Sequence, residues 1–165
     1  MEKIALFPGS FDPITIGHEN IVRRGLYLFD RIIVAIGYNS IKRGFFPLEK
    51  RLLWIRQVFE DEPRITVDYF EGLTIEFCRK VNARYLLRGI RTAADFEYER
   101  AIAQTNKAMA PDIESVFLLT APEHASVNST IVRDIIMHGG DASIFLPNSR
   151  DLRSFKIGDV HAKNK

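Results

Sequence analysis

Five short apolar runs, each followed by a stretch with helical spacing, constrain this chain more than any other feature of it. Residues 4–7, 32–36, 65–69, 85–87 and 115–119 read as strands. Several are nearly continuous apolar runs, which suits strands covered on both faces. Between them the apolar side chains fall at helical spacing. Ile21, Gly25 and Leu28 or Phe29 share a side over residues 17–29, and Leu48, Leu52, Ile55 and Phe59 do so over 48–60. Leu73, Phe77 and Val81 mark a helix over 73–81, and Ile131, Val132, Ile135 and Ile136 one over 129–138. A helix over 93–109 opens on Thr92-Ala93-Ala94-Asp95, a capping-box pattern. Such alternation with long crossovers implies an α/β fold built on a parallel sheet. Right-handed crossovers favour a doubly wound five-stranded sheet, strand order 3-2-1-4-5, with helices on both faces. Ligands then bind beyond the carboxyl ends of the strands, where the winding reverses between strands one and four.

That location gives a test for every motif. After strand one comes Pro8-Gly9-Ser10-Phe11-Asp12-Pro13, then Gly17-His18 opening a helix. Gly9 lets a ligand approach the backbone, Ser10 offers a hydroxyl, and His18 lies among the free N–H groups of a helix start, a phosphate site in waiting. An isolated Gly-His usually just fills a first turn; its place after strand one favours function. After strand four comes Arg88-Gly89-Ile90-Arg91, two guanidinium forks that match phosphate oxygens. Two surface arginines are the ordinary reading of such a pair, weakened here because both loops converge on the switch point. Lys42, after strand two, can reach a phosphate from the same edge, although alone it reads as solvated decoration. After strand five, Ser129 and Thr130 either cap the next helix or hold outer phosphates. Asp95, Glu99, Ile102 and Asn106 share one helix face, suited to a long substrate of mixed polarity.

These blocks, with Asp95-Phe96-Glu97-Tyr98-Glu99, resemble the signatures of the phosphopantetheine adenylyltransferase family, in register over about residues 3–155. The Gly17-His18 block alone would indicate only the wider nucleotidyltransferase superfamily, whose sheet is Rossmann-like. The resemblance implies transfer of AMP from ATP to 4′-phosphopantetheine, giving dephospho-coenzyme A and pyrophosphate. It implies that His18 contacts the α-phosphate and stabilises the transition state, with Ser10, Lys42 and Arg91 in the same machinery. Phe11, Gly89, Ile90, Arg91 and Glu99 would bind ATP together with His124, Ala125, Ser126, Val127, Asn128, Ser129 and Thr130. Ser10, Lys42 and Arg88 would hold the acceptor phosphate, and Leu73, Thr74, Ile102 and Asn106 would line its arm. It also implies Mg²⁺ with ATP, coenzyme A as feedback inhibitor, and a homohexamer built as a dimer of trimers. Asn128 stands where serine is frequent, His124 where some members carry tryptophan, and Ser40 where proline is common; none of these removes a proposed charge.

Composition agrees with a single compact enzyme domain and excludes other classes. The 165 residues are 46% hydrophobic, enough for one core, expected as a nucleotidyltransferase domain over residues 1–155 with a polar tail over 156–165. A net charge of +2 argues against a nucleic-acid partner. The lone Cys78 sits in an apolar stretch and reads as core filler, and the four histidines are scattered without zinc spacing. Met1-Glu2-Lys3-Ile4 shows no signal-peptide core and no run reaches the length of a membrane span, so the expectation is a soluble cytoplasmic chain with no membrane partner. The rival readings are the same fold with another acceptor, such as a nicotinamide or pyridine mononucleotide, use of CTP, or a silent adenine-nucleotide sensor. An aminoacyl-tRNA synthetase needs far more chain and a second lysine-bearing loop.

Overall fold

The computed structural model describes residues 1–42 and 44–155; the expected tail over 156–165 lies outside them. Its sheet has the order β3-β2-β1-β4-β5, all parallel. The strands are β1 (Ile4–Gly9), β2 (Arg31–Gly37), β3 (Ile65–Phe70), β4 (Tyr85–Ile90) and β5 (Glu114–Leu119). Between them run α1 (Ile16–Gly25), α2 (Leu48–Val58), α3 (Thr74–Lys80) and α4 (Ala93–Met109), and α5 (Ser129–Met137) and α6 (Arg150–Arg153) follow β5. Short 3-10 turns at Pro122–His124 and Ser143–Phe145 complete the chain.

The continuous apolar runs divide between two cores, as side-chain alternation on a strand requires. Ala5 and Phe7 of β1 and Ile32, Val34 and Ile36 of β2 face a core shared with α1, α2, α5 and α6. Ile4, Leu6, Ile33 and Ala35 face the opposite core, closed by α3 and by Ala110 and Ile113 beyond α4. Trp54, Ile55 and Val58 of α2 are buried, each contributing about 1.5–3 kcal/mol as it leaves water. Helix α4 buries none of its own residues. Cys78 is buried in the second core, where desolvation pushes its thiol up to about 12; it is filler, not a nucleophile.

Two elements depart from the sequence reading by three residues or more. Helix α1 stops at Gly25, four residues short of the expected end. The chain tightens there into i to i−3 bonds, Leu26 N to Arg23 C=O (3.3 Å) and Tyr27 N to Arg24 C=O (3.1 Å), and Phe29 is buried from the turn. Strand β4 runs three residues further than expected, so Arg88-Gly89-Ile90 is strand rather than loop. Pairing with β5 overrides the weak strand propensity of Gly89, through Arg88 opposite Phe117 and Ile90 opposite Leu119.

Candidate active site

The site exists because the β1–β4 ladder ends early. Those strands pair only at Ala5–Tyr85 and Leu6–Leu86, whereas β1 pairs with β2 as far as Gly9–Ile36 and β4 with β5 as far as Ile90–Leu119. Beyond Leu6 and Leu86 the central strands part at the switch point. A cavity of about 300 Å³ opens on the α1/α5 side, lined by Phe7–Phe11 backbone and side chains, Gly17, His18, Gly89 and Arg91, among others. A second of about 230 Å³ opens toward α3 and α4, lined by Gly37, Phe70, Thr74, Ile102 and Asn106. Pro8, Gly9, Arg88 and Glu99 border both.

His18 sits in the first turn of α1, after the extended N-cap Thr15. The Thr15 N–H donates to His18 Nδ1 (3.0 Å), so in the neutral ring the proton resides on Nε2. Burial, reinforced by the nearby Arg91 and Arg88 charges, pulls the pKa of His18 down from 6.5 to about 4. At neutral pH His18 is therefore an uncharged donor, not a cation. Its ring stands edge-on to Phe11, with centroids 5.1 Å apart. Phe11 holds φ of 44°, and the Asp12–Pro13 peptide is cis. Gly9 has a packing reason besides ligand approach, since a Cβ there would meet the Phe11 ring at 3.0 Å.

Both clamp arginines are already held by α4. Arg88 makes a two-pronged ion pair with Glu99, Nε to Oε2 at 2.9 Å and Nη2 to Oε1, and its Nη1 donates to the Pro8 carbonyl across the parted strands. Arg91 does the same with Asp95, Nε to Oδ2 at 3.0 Å and Nη2 to Oδ1 at 3.3 Å, leaving Nη1 near the Val127 carbonyl at 3.5 Å. The two carboxylates lie one turn apart on α4, so this helix sets the direction of both forks. Thr92 caps α4 by accepting from Asp95 N (3.1 Å). The Asp95 carboxylate takes the Arg91 N–H rather than closing a reciprocal capping box.

The start of α5 faces the same cavity through Val127, Asn128 and Ser129. Asn128 is the cap, accepting from Ile131 N (2.9 Å), not Ser129 or Thr130. The Ser129 hydroxyl instead donates to the Pro13 carbonyl (2.8 Å). Other expected residues lie elsewhere. Ala125 and Ser126 are exposed on the segment leading to α5, and Thr130 is exposed in its first turn. His124 packs behind Gly17 in a separate hollow with Ile16 and Asn20, its Nδ1 buried without a partner among the described residues. Ile90 lines a shallow groove with Phe96 and Leu119. Leu73 is exposed at the start of α3, and Lys42 stands exposed on the loop after β2, outside both cavity walls.

The turn after β1 is held by residues the sequence reading did not single out. Arg51 Nη1 donates to the Ser10 carbonyl (2.8 Å), and Arg133 Nη1 to the Asp12 carbonyl (2.7 Å). The Asp12 carboxylate accepts from Phe45 N (2.7 Å) and Phe46 N (2.9 Å), joining this turn to the base of the Lys42 loop. One signal was available: Arg51 occupies a core-facing position among Leu48, Leu52 and Ile55, where an unpaired cation is out of place. Among the described residues no cluster of three or more His, Cys, Asp or Glu side chains could hold a metal, and no helix is long and apolar enough to cross a membrane.

A parallel sheet parted at its switch point, with two helix starts and two arginines around the opening, makes a cleft suited to an anionic ligand, and the comparisons with known proteins give its class. The Cytidylyltransferase-like family matches residues 6–135. A bifunctional NMN adenylyltransferase/ADP ribose pyrophosphatase from Francisella tularensis, complexed with AMP and a Mn ion, superposes with a TM-score of 0.65 at 15% identity; the match covers 88% of this chain and 44% of that one and shows the shared fold. The phosphopantetheine adenylyltransferase of Flavobacterium johnsoniae is 50% identical over 145 residues, 88% of this chain and 95% of that protein. That of Bacteroides fragilis is 47% identical over 148 residues, 90% of this chain and 98% of the other. The chain belongs to the phosphopantetheine adenylyltransferase family.

Proposed function

We propose that the chain transfers AMP from ATP to 4′-phosphopantetheine, releasing pyrophosphate and forming dephospho-coenzyme A in coenzyme A biosynthesis. The observation that carries this reading is the pair of cavities meeting across Arg88 and Glu99. The cavity with two helix N-termini suits a nucleotide's phosphates. The other mixes Phe70 and Ile102 with Thr74 and Asn106, as a pantetheine arm with amides and methylenes requires.

The acceptor phosphate is ionised near neutral pH and needs no general base. One of its oxygens attacks the α-phosphorus, the bond to the bridging oxygen of the β-phosphate breaks, and pyrophosphate leaves with that electron pair. The difficulty is electrostatic: unit like charges about 4 Å apart repel by roughly 4 kcal/mol at an effective dielectric of 20. The Nε2–H of His18, the Arg88 and Arg91 forks, and the N–H groups opening α1 and α5 offset this, so catalysis is positioning plus preorganised donors. Lys42 supplies the acceptor-side cation from its exposed loop. Asp95 and Glu99 are committed to arginines, so Mg²⁺ would come with ATP as part of the substrate and would lower the charge of its phosphates.

Coenzyme A carries the same arm and an adenine nucleotide, so it competes for the same two cavities as a feedback inhibitor. The bare outer surface of α4 and the exposed Leu119 on edge strand β5 support assembly with further copies, as a hexamer of two trimers in the cytoplasm. The test is pyrophosphate release with ATP, Mg²⁺ and a panel of acceptors. Phosphopantetheine should exceed nicotinate and nicotinamide mononucleotides by orders of magnitude. A mononucleotide as the better acceptor would overturn the substrate assignment, and ATP binding without release with any acceptor would make the chain a sensor.

A further inference from the structure

Arg51 lies on the buried face of α2, 4% exposed, with its Nε lacking a partner and no ion pair among the described residues. A guanidinium so placed is costly unless its remaining contacts repay it. Those contacts converge on one point. Nη1 donates to the Ser10 carbonyl at 2.8 Å. A Cβ added to Gly44 would come within 3.0 Å of the guanidinium and also of the Asp12 carboxylate, which itself holds Phe45 N and Phe46 N. Arg51 thus stands where the β1 turn meets the base of the Lys42 loop.

Resting on the reading above that the first cavity binds a nucleotide's phosphates, we infer that Arg51 is a positioning residue for that anion site. The Ser10–Phe11 peptide is trans, so turning its carbonyl to Arg51 turns the Phe11 N–H the opposite way, toward the cavity that Ser10 and Phe11 line. No protein group accepts that N–H among the described residues. Phe11 keeps φ of 44°, a left-handed conformation that a non-glycine residue holds only when its surroundings impose it. The neighbouring carbonyls are tied down likewise, Pro8 by Arg88, Asp12 by Arg133 and Pro13 by Ser129. The carbonyls of Pro8, Ser10, Asp12 and Pro13 are thus already engaged when an anion arrives, whereas the Phe11 N–H is not. Arg51 acts from behind the wall, touching no reacting atom.

The test compares Arg51→Met, Arg51→Lys, Gly44→Ala and Leu52→Ala with the parent. Leu52→Ala loosens the same helix without touching the turn. Affinity for inorganic pyrophosphate is read by calorimetry on protein shown to be folded, and kcat and KM by pyrophosphate release. Arg51→Met and Gly44→Ala should weaken pyrophosphate binding by about tenfold or more and lower kcat, Arg51→Lys should recover part of the loss, and Leu52→Ala should melt earlier yet bind within about twofold of the parent. If Arg51→Met does not fold, Arg51→Lys and Gly44→Ala decide. Folded variants all binding within about twofold of the parent, or Leu52→Ala losing as much affinity as they do, would overturn the inference. A parent inactive with phosphopantetheine would instead sink the substrate assignment, while the pyrophosphate affinities still decide Arg51.

Discussion

At the residue scale, the proposed chemistry turns on which atom of His18 carries a proton. The Thr15 N–H on Nδ1 leaves Nε2–H as the donor, and the depressed pKa keeps the ring neutral. The position of His18 was legible in the sequence, from its place after the first apolar run. Its charge was not, because that depends on burial and on arginines 70 or more positions away. His18→Ala should fold and lose on the order of 10²–10³-fold in turnover, the scale of deleting a transition-state donor; near-parental turnover would exclude the role. In the NMR titration the ring should change charge near pH 4, not near 6.5. The unfolded chain takes up that proton first, so stability should fall as pH drops from 6.5 toward 4. Replacing His18 by Gln should flatten stability across that window. Lys42→Ala should raise the KM for phosphopantetheine or lower kcat more than it weakens ATP; equal losses for both substrates would remove Lys42 from the acceptor side.

At the element scale, helix starts and strand ends do the positioning. Asn128 keeps the cap of α5 through its side-chain oxygen. Asn128→Ala should cost about 1 kcal/mol in denaturant unfolding and Asn128→Ser only a few tenths, because serine caps equally well. Helices α2, α4 and α5 were legible to within a residue or two, since each keeps an unbroken pattern between good end signals. Two ends were not. Leu28 and Phe29 continue the spacing of α1 although the chain has already turned, and Arg88-Gly89-Ile90 is strand only because β5 pairs with it. That second miss matters for function. A fork rooted in a strand and held by a helix carboxylate is stiffer than one on a loop, and it leaves only Arg91 on the connection itself.

At the scale of the whole molecule, strand order was readable because right-handed crossovers leave few alternatives, but the gap between β1 and β4 was not, being a property of where pairing stops. The same parting of strands that makes the first cavity also opens the second one behind it. The outer face of α4 and the β5 edge, with Leu119 72% exposed, are the surfaces the proposed assembly would use. Sedimentation should find an assembly larger than a dimer, and Leu119→Glu should shift it to smaller species. The most direct test of the account is a structure of the protein with dephospho-coenzyme A. The diphosphate should lie between the β1 turn and the Arg88–Arg91 segment, with the pantetheine arm in the cavity beside Thr74, Ile102 and Asn106. An arm or diphosphate lodged anywhere else on the molecule would contradict it.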